Sequence, residues 1–196
     1  MKYFTGDWYA DLCMLNCILD ELEFYSGSER QKMTQSKHPK DGGSMLYGLT
    51  WRQRPSYQKQ RELDKFSGMY KTKIFEEEPE LQSIFKEFSN FHFPDFDYIQ
   101  VQMNKNFKIK PHFDSRNAGK SILLTLGDYE GGNTLVKYDD ETKEYDTRDK
   151  PISFDGSKYM HWVNDFTGTR YSLVFFSSGY LANRISKRNA LKAQGL

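Results

Sequence analysis

Two helices are predicted in the first half of the chain, because apolar residues recur there every three or four positions. The first begins after Asp7, a residue type that caps helices by accepting backbone hydrogen bonds. Its predicted buried face consists of Trp8, Leu12, Leu15, Leu19 and Leu22. The second has Pro79 in its first turn, where the missing backbone N–H of proline is tolerated. Its predicted buried face consists of Leu81, Ile84, Phe85 and Phe88.

Short strands are predicted mainly after residue 96, where apolar runs alternate with glycine-rich and polar turns. The predicted strands are 44–51, 97–103, 107–114, 120–126, 133–138, 151–154, 157–162 and 169–177. We expect 120–126 to pair with 133–138 across a turn at 127–132. Residues 28–44 are expected to form a loop and 139–150 an exposed hairpin. Helices followed by many antiparallel strands indicate an α+β fold with a sandwich or barrel core.

The length of 196 residues fits one domain, which we expect to span 1–196. Within it, 1–96 is a helical and basic N-terminal part, 97–180 a strand-rich core and 181–196 a basic tail. The 3 Trp, 13 Tyr and 15 Phe supply enough apolar area for a core. No run is long enough to span a membrane, and the first residues lack the apolar centre of a signal peptide. We therefore expect a soluble, intracellular protein with no membrane partner.

Positive charge is concentrated between Arg30 and Lys73, where eleven lysines and arginines stand against three acidic residues, a net charge of +8. Such segregation is one signature of a protein that binds a polyanion such as nucleic acid, although an ordinary solvated surface also accounts for it. Cys13 and Cys17 lie one helical turn apart and lack the further ligands of a zinc site. We expect them to be small buried side chains in a reducing compartment.

The candidate chemistry lies in three ligand-type residues. His112 and Asp114 alternate on one predicted strand, so both side chains point to the same face. His161 would join them from a distant strand. Two imidazoles and one carboxylate form the ligand set of non-haem Fe(II) oxygenases. Arg170 offers a planar fork for a carboxylate-bearing co-substrate.

Two other histidines serve as a comparison. His38 lies in a polar loop and His92 lies between two phenylalanines, and neither has a carboxylate at ligand spacing. We expect both to be structural or to face solvent.

Residues from about 98 to 178 resemble the jelly-roll core, a double-stranded β-helix, of the 2-oxoglutarate- and Fe(II)-dependent oxygenases. HFDSRN at 112–117, leading to LGDYEGG at 126–132, and TRYSLVF at 169–175 resemble the thymine and 5-methylcytosine hydroxylases of the TET/JBP branch. The resemblance implies helices packed on one sheet of that core. It also implies that Arg170 and Ser172 hold the distal carboxylate of 2-oxoglutarate.

The same resemblance implies Fe(II) as cofactor, 2-oxoglutarate and O2 as co-substrates, and hydroxylation of a C–H bond. The implied substrate is the 5-methyl group of thymine or 5-methylcytosine in DNA. The first helix and the basic stretch before Pro79 have no counterpart in that branch, and the cysteine-rich zinc region of animal TET enzymes is missing. Two alternatives stay open: a prolyl-hydroxylase-like enzyme acting on a protein side chain, and a metal-binding jelly roll without turnover.

Neighbouring branches match less well. Prolyl hydroxylases usually carry a lysine where Arg170 stands, and the AlkB-type R-x-N-x-T-x-R run is missing after it. Further contacts are predicted from position alone. Asn104 is a candidate for co-substrate binding, and the candidates for substrate binding are Trp51, Arg52, Arg54, Tyr57, Gln102 and Lys105.

Overall fold

The computed structural model describes residues 2–35, 42–51, 69–183 and 185–186. Its helices are α1 Trp8–Glu21, α2 Ser28–Gln31, α3 Lys73–Glu77 and α4 Leu81–His92. The prediction of α1 is confirmed, since the side chain of Asp7 accepts a hydrogen bond from the backbone N–H of Ala10. The long second helix is also confirmed, although Pro79 precedes α4 rather than lying in its first turn. Within the described residues, no helix is long and apolar enough to cross a membrane.

Antiparallel strands form the second half of the chain and part of the first. They are β1 Gly43–Trp51, β2 Met69–Lys71, β3 Gln100–Lys105, β4 Ser121–Leu126, β5 Tyr129–Gly131, β6 Thr134–Lys137, β7 Thr142–Tyr145, β8 Ile152–Phe154, β9 Met160–Val163, β10 Phe166–Gly168 and β11 Tyr171–Phe176. A six-stranded sheet has the order β2-β1-β3-β11-β4-β8. A three-stranded sheet has the order β7-β6-β9, and β5 pairs with β10. Helices with antiparallel sheets confirm the predicted α+β class.

The two faces of the six-stranded sheet have different partners, because side chains alternate along each strand. One face presents apolar residues of β3, β4 and β11 to the helices, among them Val101, Leu124 and Phe175. The buried stripes of α1 and α4 pack on this face, and Leu15 and Phe88 are fully buried. Burial of each such side chain contributes about 1.5–3 kcal/mol. The helices therefore leave the other face of the sheet free to build a site.

Two strand predictions are wrong. Residues 107–114 do not form a continuous strand, and isolated bridges at Ile109 and His112 join this segment to its neighbours. Pro111 lies between the two bridges and has no N–H to offer a ladder. Residues 133–138 do not pair with 120–126 either. The intervening β5 pairs with β10, and β6 pairs with β7 and β9 instead.

The expectation for the cysteines is also wrong. Cys13 and Cys17 are free thiols on the exposed side of α1. Burial on this helix is confined to Asp11, Leu12, Leu15 and Leu19, which lie on the opposite side. The apolar neighbours that suggested burial include Met14, which is itself 45% exposed.

Candidate metal centre

A cavity of about 80 Å³ lies between the free face of the six-stranded sheet and the three-stranded sheet. This volume is several times the roughly 10–15 Å³ that one buried water molecule needs. Strands β3, β4 and β11 line it from one side, and β6 and β9 from the other. The cavity therefore lies between the two sheets, with room for a small molecule.

The structure brings His112, Asp114 and His161 together at this cavity. One ligand atom from each side chain lies within 4.8 Å of the other two. His112 Nε2 is 3.5 Å from one carboxylate oxygen of Asp114, and His161 Nε2 is 3.6 Å from the other. Two ligands bound to one ion at about 2 Å lie at most about 4 Å apart. Both nitrogen–oxygen separations therefore suit coordination of a single ion.

Backbone pairing positions the three side chains. His112 and His161 exchange two backbone hydrogen bonds, of 3.1 and 3.0 Å. The backbone N–H of Asp114 donates to the carbonyl of Gly156 at 2.8 Å. This short ladder replaces the continuous strand that the sequence predicted, and it holds the second histidine directly beside the first.

Both imidazoles are oriented with the same nitrogen toward the centre. Nδ1 of His112 donates to the carbonyl of Lys110 at 2.8 Å, and Nδ1 of His161 donates to the carbonyl of Tyr159 at 3.0 Å. In each neutral ring the proton therefore resides on Nδ1, and the lone pair of Nε2 points toward Asp114. Metal-binding histidines are commonly fixed in this way by a bond from the other ring nitrogen.

The local electrostatics favour the forms that bind a cation. Burial alone would raise the pKa of Asp114, but protonated His112, through an Nε2–H hydrogen bond and its charge, and the charges of protonated His161 and of Arg30 outweigh it. The pKa of this carboxyl group therefore lies below its ordinary value. Burial, together with the charge of His112, lowers the pKa of His161 against the opposing effect of Asp114. Near neutral pH the trio thus offers a carboxylate and a neutral imidazole.

Gly156 leaves the space that this trio occupies. A Cβ atom at this position would lie 3.1 Å from Asp114 Oδ2 and 3.1 Å from His161 Cε1. Asn117 supports the carboxylate from another side, because its Nδ2 donates to Asp114 Oδ2 at 3.3 Å. Neither residue was predicted, and Gly156 lies 42 positions from Asp114, so no local pattern relates the two.

Arg170 lines the same cavity and is one of the largest fully buried side chains. Among the residues that the structure describes, its Nε and Nη2 atoms have no hydrogen-bond partner. The guanidinium carbon lies 5.5 Å from the ring centre of Tyr129 and 5.6 Å from that of Phe166. Burial lowers the pKa of Arg170 to about 10, although Tyr129 acts in the opposite direction. A buried cation with two unused donors is poorly satisfied and needs an anion.

A row of polar side chains crosses the sheet beside Arg170. Ser44, Asn104, Ser172 and Thr125 are partners in register on β1, β3, β11 and β4. Ser44 Oγ donates to Asn104 Oδ1 at 2.6 Å, and Asn104 Nδ2 donates to Ser172 Oγ at 2.9 Å. Asn104 and Ser172 line the cavity. The structure thus brings the three predicted co-substrate residues, Arg170, Ser172 and Asn104, to one cavity.

The residues predicted to bind the substrate lie at less suitable positions for that role. Gln102 lines the cavity, but its side-chain amide donates to Ser44 Oγ and to the carbonyl of Met45. Lys105 does not line it, because its Nζ lies 5.2 Å from the ring centre of Tyr171, on the helical face of the sheet. Trp51 ends β1, and its side chain lies outside the described part of the chain. Residues Arg52, Arg54 and Tyr57 lie outside it entirely.

The structure tests the prediction for one of the two other histidines, His92. His92 Nε2 lies 2.9 Å from Asp11 Oδ2, and the side chain is 7% exposed, so His92 is structural as expected. His38 lies outside the described residues. Arg30 was missed: it lines the cavity beside the metal trio, although the sequence marked it only as one of many basic residues.

Comparison with known proteins gives no family model and no curated protein that matches this chain. Among solved structures, NgTET1 in complex with 5mC DNA is 16% identical, with a TM-score of 0.48, 70% of this chain covered and 61% of that one. A 2OG-Fe(II) oxygenase family oxidoreductase from Burkholderia pseudomallei is 19% identical, with a TM-score of 0.38, 52% of this chain covered and 55% of that one. A Pseudomonas putida prolyl-4-hydroxylase is 12% identical, with a TM-score of 0.47, 89% of this chain covered and 88% of that one.

The first two of these matches leave a large part of the other protein uncovered, since this chain spans less than two thirds of the length of either. With TM-scores below 0.5, these similarities do not establish a function. The functional assignment rests on the residues of the site.

Proposed function

We propose that this chain is a 2-oxoglutarate- and Fe(II)-dependent dioxygenase that hydroxylates a C–H bond. One observation carries the proposal. The fully buried Arg170, with two unused donor nitrogens, shares a cavity with a convergent His-Asp-His trio. The trio fits a divalent iron ion with open positions. The guanidinium fits the free carboxylate of a small dicarboxylic co-substrate.

We further propose that the two sheets around this cavity form a double-stranded β-helix within one domain of 1–196. Facing sheets with a site between them support this architecture. The six-stranded sheet contributes Arg170's neighbours Asn104 and Ser172, and the three-stranded sheet contributes His161. The long helices α1 and α4 of the N-terminal part pack on the outer face of the larger sheet.

Each residue of the site has a separate task in this proposal. Fe(II), 2-oxoglutarate and O2, when bound, would together supply the oxidising chemistry. His112, Asp114 and His161 would hold the ion. Arg170 would orient the co-substrate through charge-assisted hydrogen bonds to its free carboxylate, and Ser172 and Asn104 would support the same carboxylate. The mainly apolar walls limit the water that reaches the reacting atoms.

The proposed substrate is the 5-methyl group of a pyrimidine, 5-methylcytosine or thymine, in DNA. The match of Arg170 and Ser172 to the TET/JBP branch and the excess of positive charge between residues 30 and 73 support it. A base in a duplex would have to leave the stack to reach a cavity between two sheets. A prolyl-hydroxylase-like reaction on a protein side chain is the alternative. A metal-binding module without turnover is disfavoured by the unused donors of Arg170.

The reaction class is tested without knowing the substrate. Purified protein is loaded with Fe(II) and 2-oxoglutarate under nitrogen, its absorption spectrum is recorded, and air is then admitted while succinate is measured. We expect a spectral change that needs both components and slow succinate formation even without substrate. The Asp114→Ala variant should lose both signals. Stoichiometric Fe(II) binding with no consumption of 2-oxoglutarate would instead establish the module without turnover.

The substrate is tested separately by mass spectrometry of products. Oligonucleotides that contain 5-methylcytosine or thymine, single- and double-stranded, are compared with proline-containing peptides. We expect a gain of one oxygen on the methylated pyrimidine and faster succinate release in its presence. Oxygen on the peptide alone would transfer the assignment to the protein-directed alternative.

A further inference from the structure

A second cation, Arg30, reaches the cavity from the N-terminal part of the chain. It belongs to α2 and lines the cavity together with His112 and Asp114. Burial lowers the pKa of Arg30, whereas the charge of Asp114 raises it. The guanidinium is therefore within electrostatic reach of the metal trio.

Backbone hydrogen bonds hold the Arg30 segment in place. The N–H of Gln35 donates to the carbonyl of Lys108 at 2.9 Å, and the N–H of Lys110 donates to the carbonyl of Met33 at 3.0 Å. The N–H of Met33 in turn donates to the carbonyl of Arg30 at 2.9 Å. Residues 30–35 are thus joined to the same stretch that continues into the first metal ligand, so Arg30 is fixed relative to the metal centre.

No acidic side chain neutralises Arg30 among those that the structure describes. Its Nη1 donates a hydrogen bond to the sulfur of Met33 at 3.7 Å, and a thioether sulfur is a weak acceptor. Asp114 acts on it only at a distance and is a proposed metal ligand. A desolvated guanidinium without an anion is costly. This residue is therefore prepared for an anion that arrives with a ligand.

A count of the charges in the proposed complex indicates that this anion belongs to the substrate. The two positive charges of Fe(II) and the single positive charge of Arg170 would balance three negative charges. These are the two carboxylates of 2-oxoglutarate and the carboxylate of Asp114. The charge of Arg30 is left over, and one phosphodiester would balance it. Lys32 and Lys110 are exposed on the paired segments, and Phe113, between two of the ligands, is 51% exposed. Basic side chains around an exposed aromatic ring are typical of surfaces that bind a single nucleic-acid strand.

We propose that Arg30 binds the phosphate beside the target nucleotide, so that residues 30–35 and 108–114 form the rim on which one nucleic-acid strand docks. This inference rests on the proposed function, because it assigns a residue to its nucleic-acid substrate. The substrate-binding residues predicted from the sequence included Trp51, Arg52, Arg54 and Tyr57. Arg30 was not among them, and it lies within the described part of the chain.

Binding of a fluorescein-labelled single-stranded 12-mer with one 5-methylcytosine tests this inference, with fluorescence anisotropy over a range of salt concentrations. Arg30→Gln should weaken binding about tenfold and reduce the slope of log K against log salt by about 0.7. Arg30→Lys should recover part of the loss, since it keeps the charge but not the fork. Lys86→Gln removes one charge from α4, behind the six-stranded sheet, and should change binding less than twofold. The affinity for 2-oxoglutarate should be unchanged in all three variants.

Two outcomes would overturn the inference. A weaker affinity for 2-oxoglutarate with unchanged oligonucleotide binding would make Arg30 a co-substrate residue. Equal oligonucleotide binding by wild type and Arg30→Gln would leave it a structural one. Circular dichroism and thermal denaturation check each variant, and Arg30→Lys carries the test if Arg30→Gln does not fold. Because this readout needs no turnover, it stays separate from the succinate assay, which decides the proposed function.

Discussion

Gly132 lies so close to Arg170 that a side chain at this position would displace the guanidinium. A Cβ atom on residue 132 would be 2.9 Å from Arg170 Cδ and 3.0 Å from its Nε. The backbone φ angle of Gly132 is +70°, a region that residues with a Cβ rarely adopt. The second glycine of the Gly131-Gly132 pair therefore provides the space in which the buried cation lies.

Replacement of Gly132 by alanine should weaken 2-oxoglutarate binding about tenfold and lower the free energy of unfolding by about 1–3 kcal/mol. The Cβ atom would push Arg170 out of its position between the aromatic rings. Isothermal titration with 2-oxoglutarate and urea denaturation measure the two effects. Gly119→Ala is the matched control, because Gly119 also has a φ of +70° but no neighbour within 4 Å of the added Cβ. Equal effects of both variants would mean that backbone strain alone is responsible.

Arg170→Lys should separate co-substrate binding from metal binding. Lysine keeps the positive charge but loses the planar fork, so the dissociation constant of 2-oxoglutarate should rise about tenfold or more. Fe(II) affinity should stay within about twofold, because Arg170 does not belong to the metal trio. Anaerobic titrations with each component measure this difference. Arg148→Lys, which changes the guanidinium over the ring of Tyr129 at 4.5 Å, is the control. A parallel loss of both affinities would contradict the division of tasks.

Gly156→Ala should act on the metal and not on the co-substrate carboxylate. The added Cβ would lie 3.1 Å from both Asp114 Oδ2 and His161 Cε1, and the trio would have to spread. We expect Fe(II) affinity to fall about 10–100-fold, a range found when the support of metal ligands is disturbed. Anaerobic titration with Fe(II) gives the affinity. Gly27→Ala, whose Cβ would meet no atom of the described residues within 4 Å, should leave it unchanged. Wild-type affinity in Gly156→Ala would exclude this packing role.

The buried Asp11–His92 pair predicts a pH dependence of stability. Burial tends to raise the pKa of Asp11, but hydrogen bonds from Thr5, His92 and Gly6 outweigh it, so the pKa is lowered. A carboxyl group whose pKa is lower in the folded state stabilises the protein above its unfolded pKa of about 3.9. This contribution is lost as the pH falls through the folded value.

Asp11→Asn should therefore lower the free energy of unfolding by about 2–3 kcal/mol at pH 7, because the charged acceptor of four hydrogen bonds is lost. As the pH falls through the lowered pKa of Asp11, the difference from wild type should shrink, since the wild-type carboxyl group becomes protonated as well. Urea denaturation at pH 7 and at lower pH measures both values. Asp140→Asn, at an exposed position, should have almost no effect. A difference that is constant with pH would contradict the assignment.

The helices and the His112–Asp114 pair were predictable because their signals are local. The stripe of α4 follows from the spacing of Leu81, Ile84, Phe85 and Phe88, and the pairing of His112 with Asp114 follows from two positions separated by one residue, although no continuous strand carries them. The pairing of 120–126 with 133–138 was not predictable, because a glycine-rich turn does not reveal that β5 leaves the hairpin to pair with β10. Strand partners are set by the whole fold rather than by the turn.

Roles that depend on long-range contacts were missed for the same reason. Arg30 is separated from Asp114 by more than eighty residues, and Gly156 is as ordinary in sequence as Gly27. Only the fold brings the former to the cavity and the latter against two ligand side chains. Lys105 was predicted to contact the substrate from its position in the sequence, next to Asn104. Neighbouring residues on a strand point to opposite faces of the sheet, so the side chain of Lys105 lies on the face away from the cavity.

The hydrogen bond from Ser44 to Asn104 has a consequence for protein engineering. Ser44 belongs to β1, so the N-terminal half supplies a strand as well as helices to the sheet that carries the proposed co-substrate residues. A fragment that starts at residue 97 would leave β3 as a bare edge with unpaired backbone groups, and such edges recruit other chains. Minimal versions of this protein should therefore keep β1, because without it the fragment would tend to aggregate before its activity could be assayed.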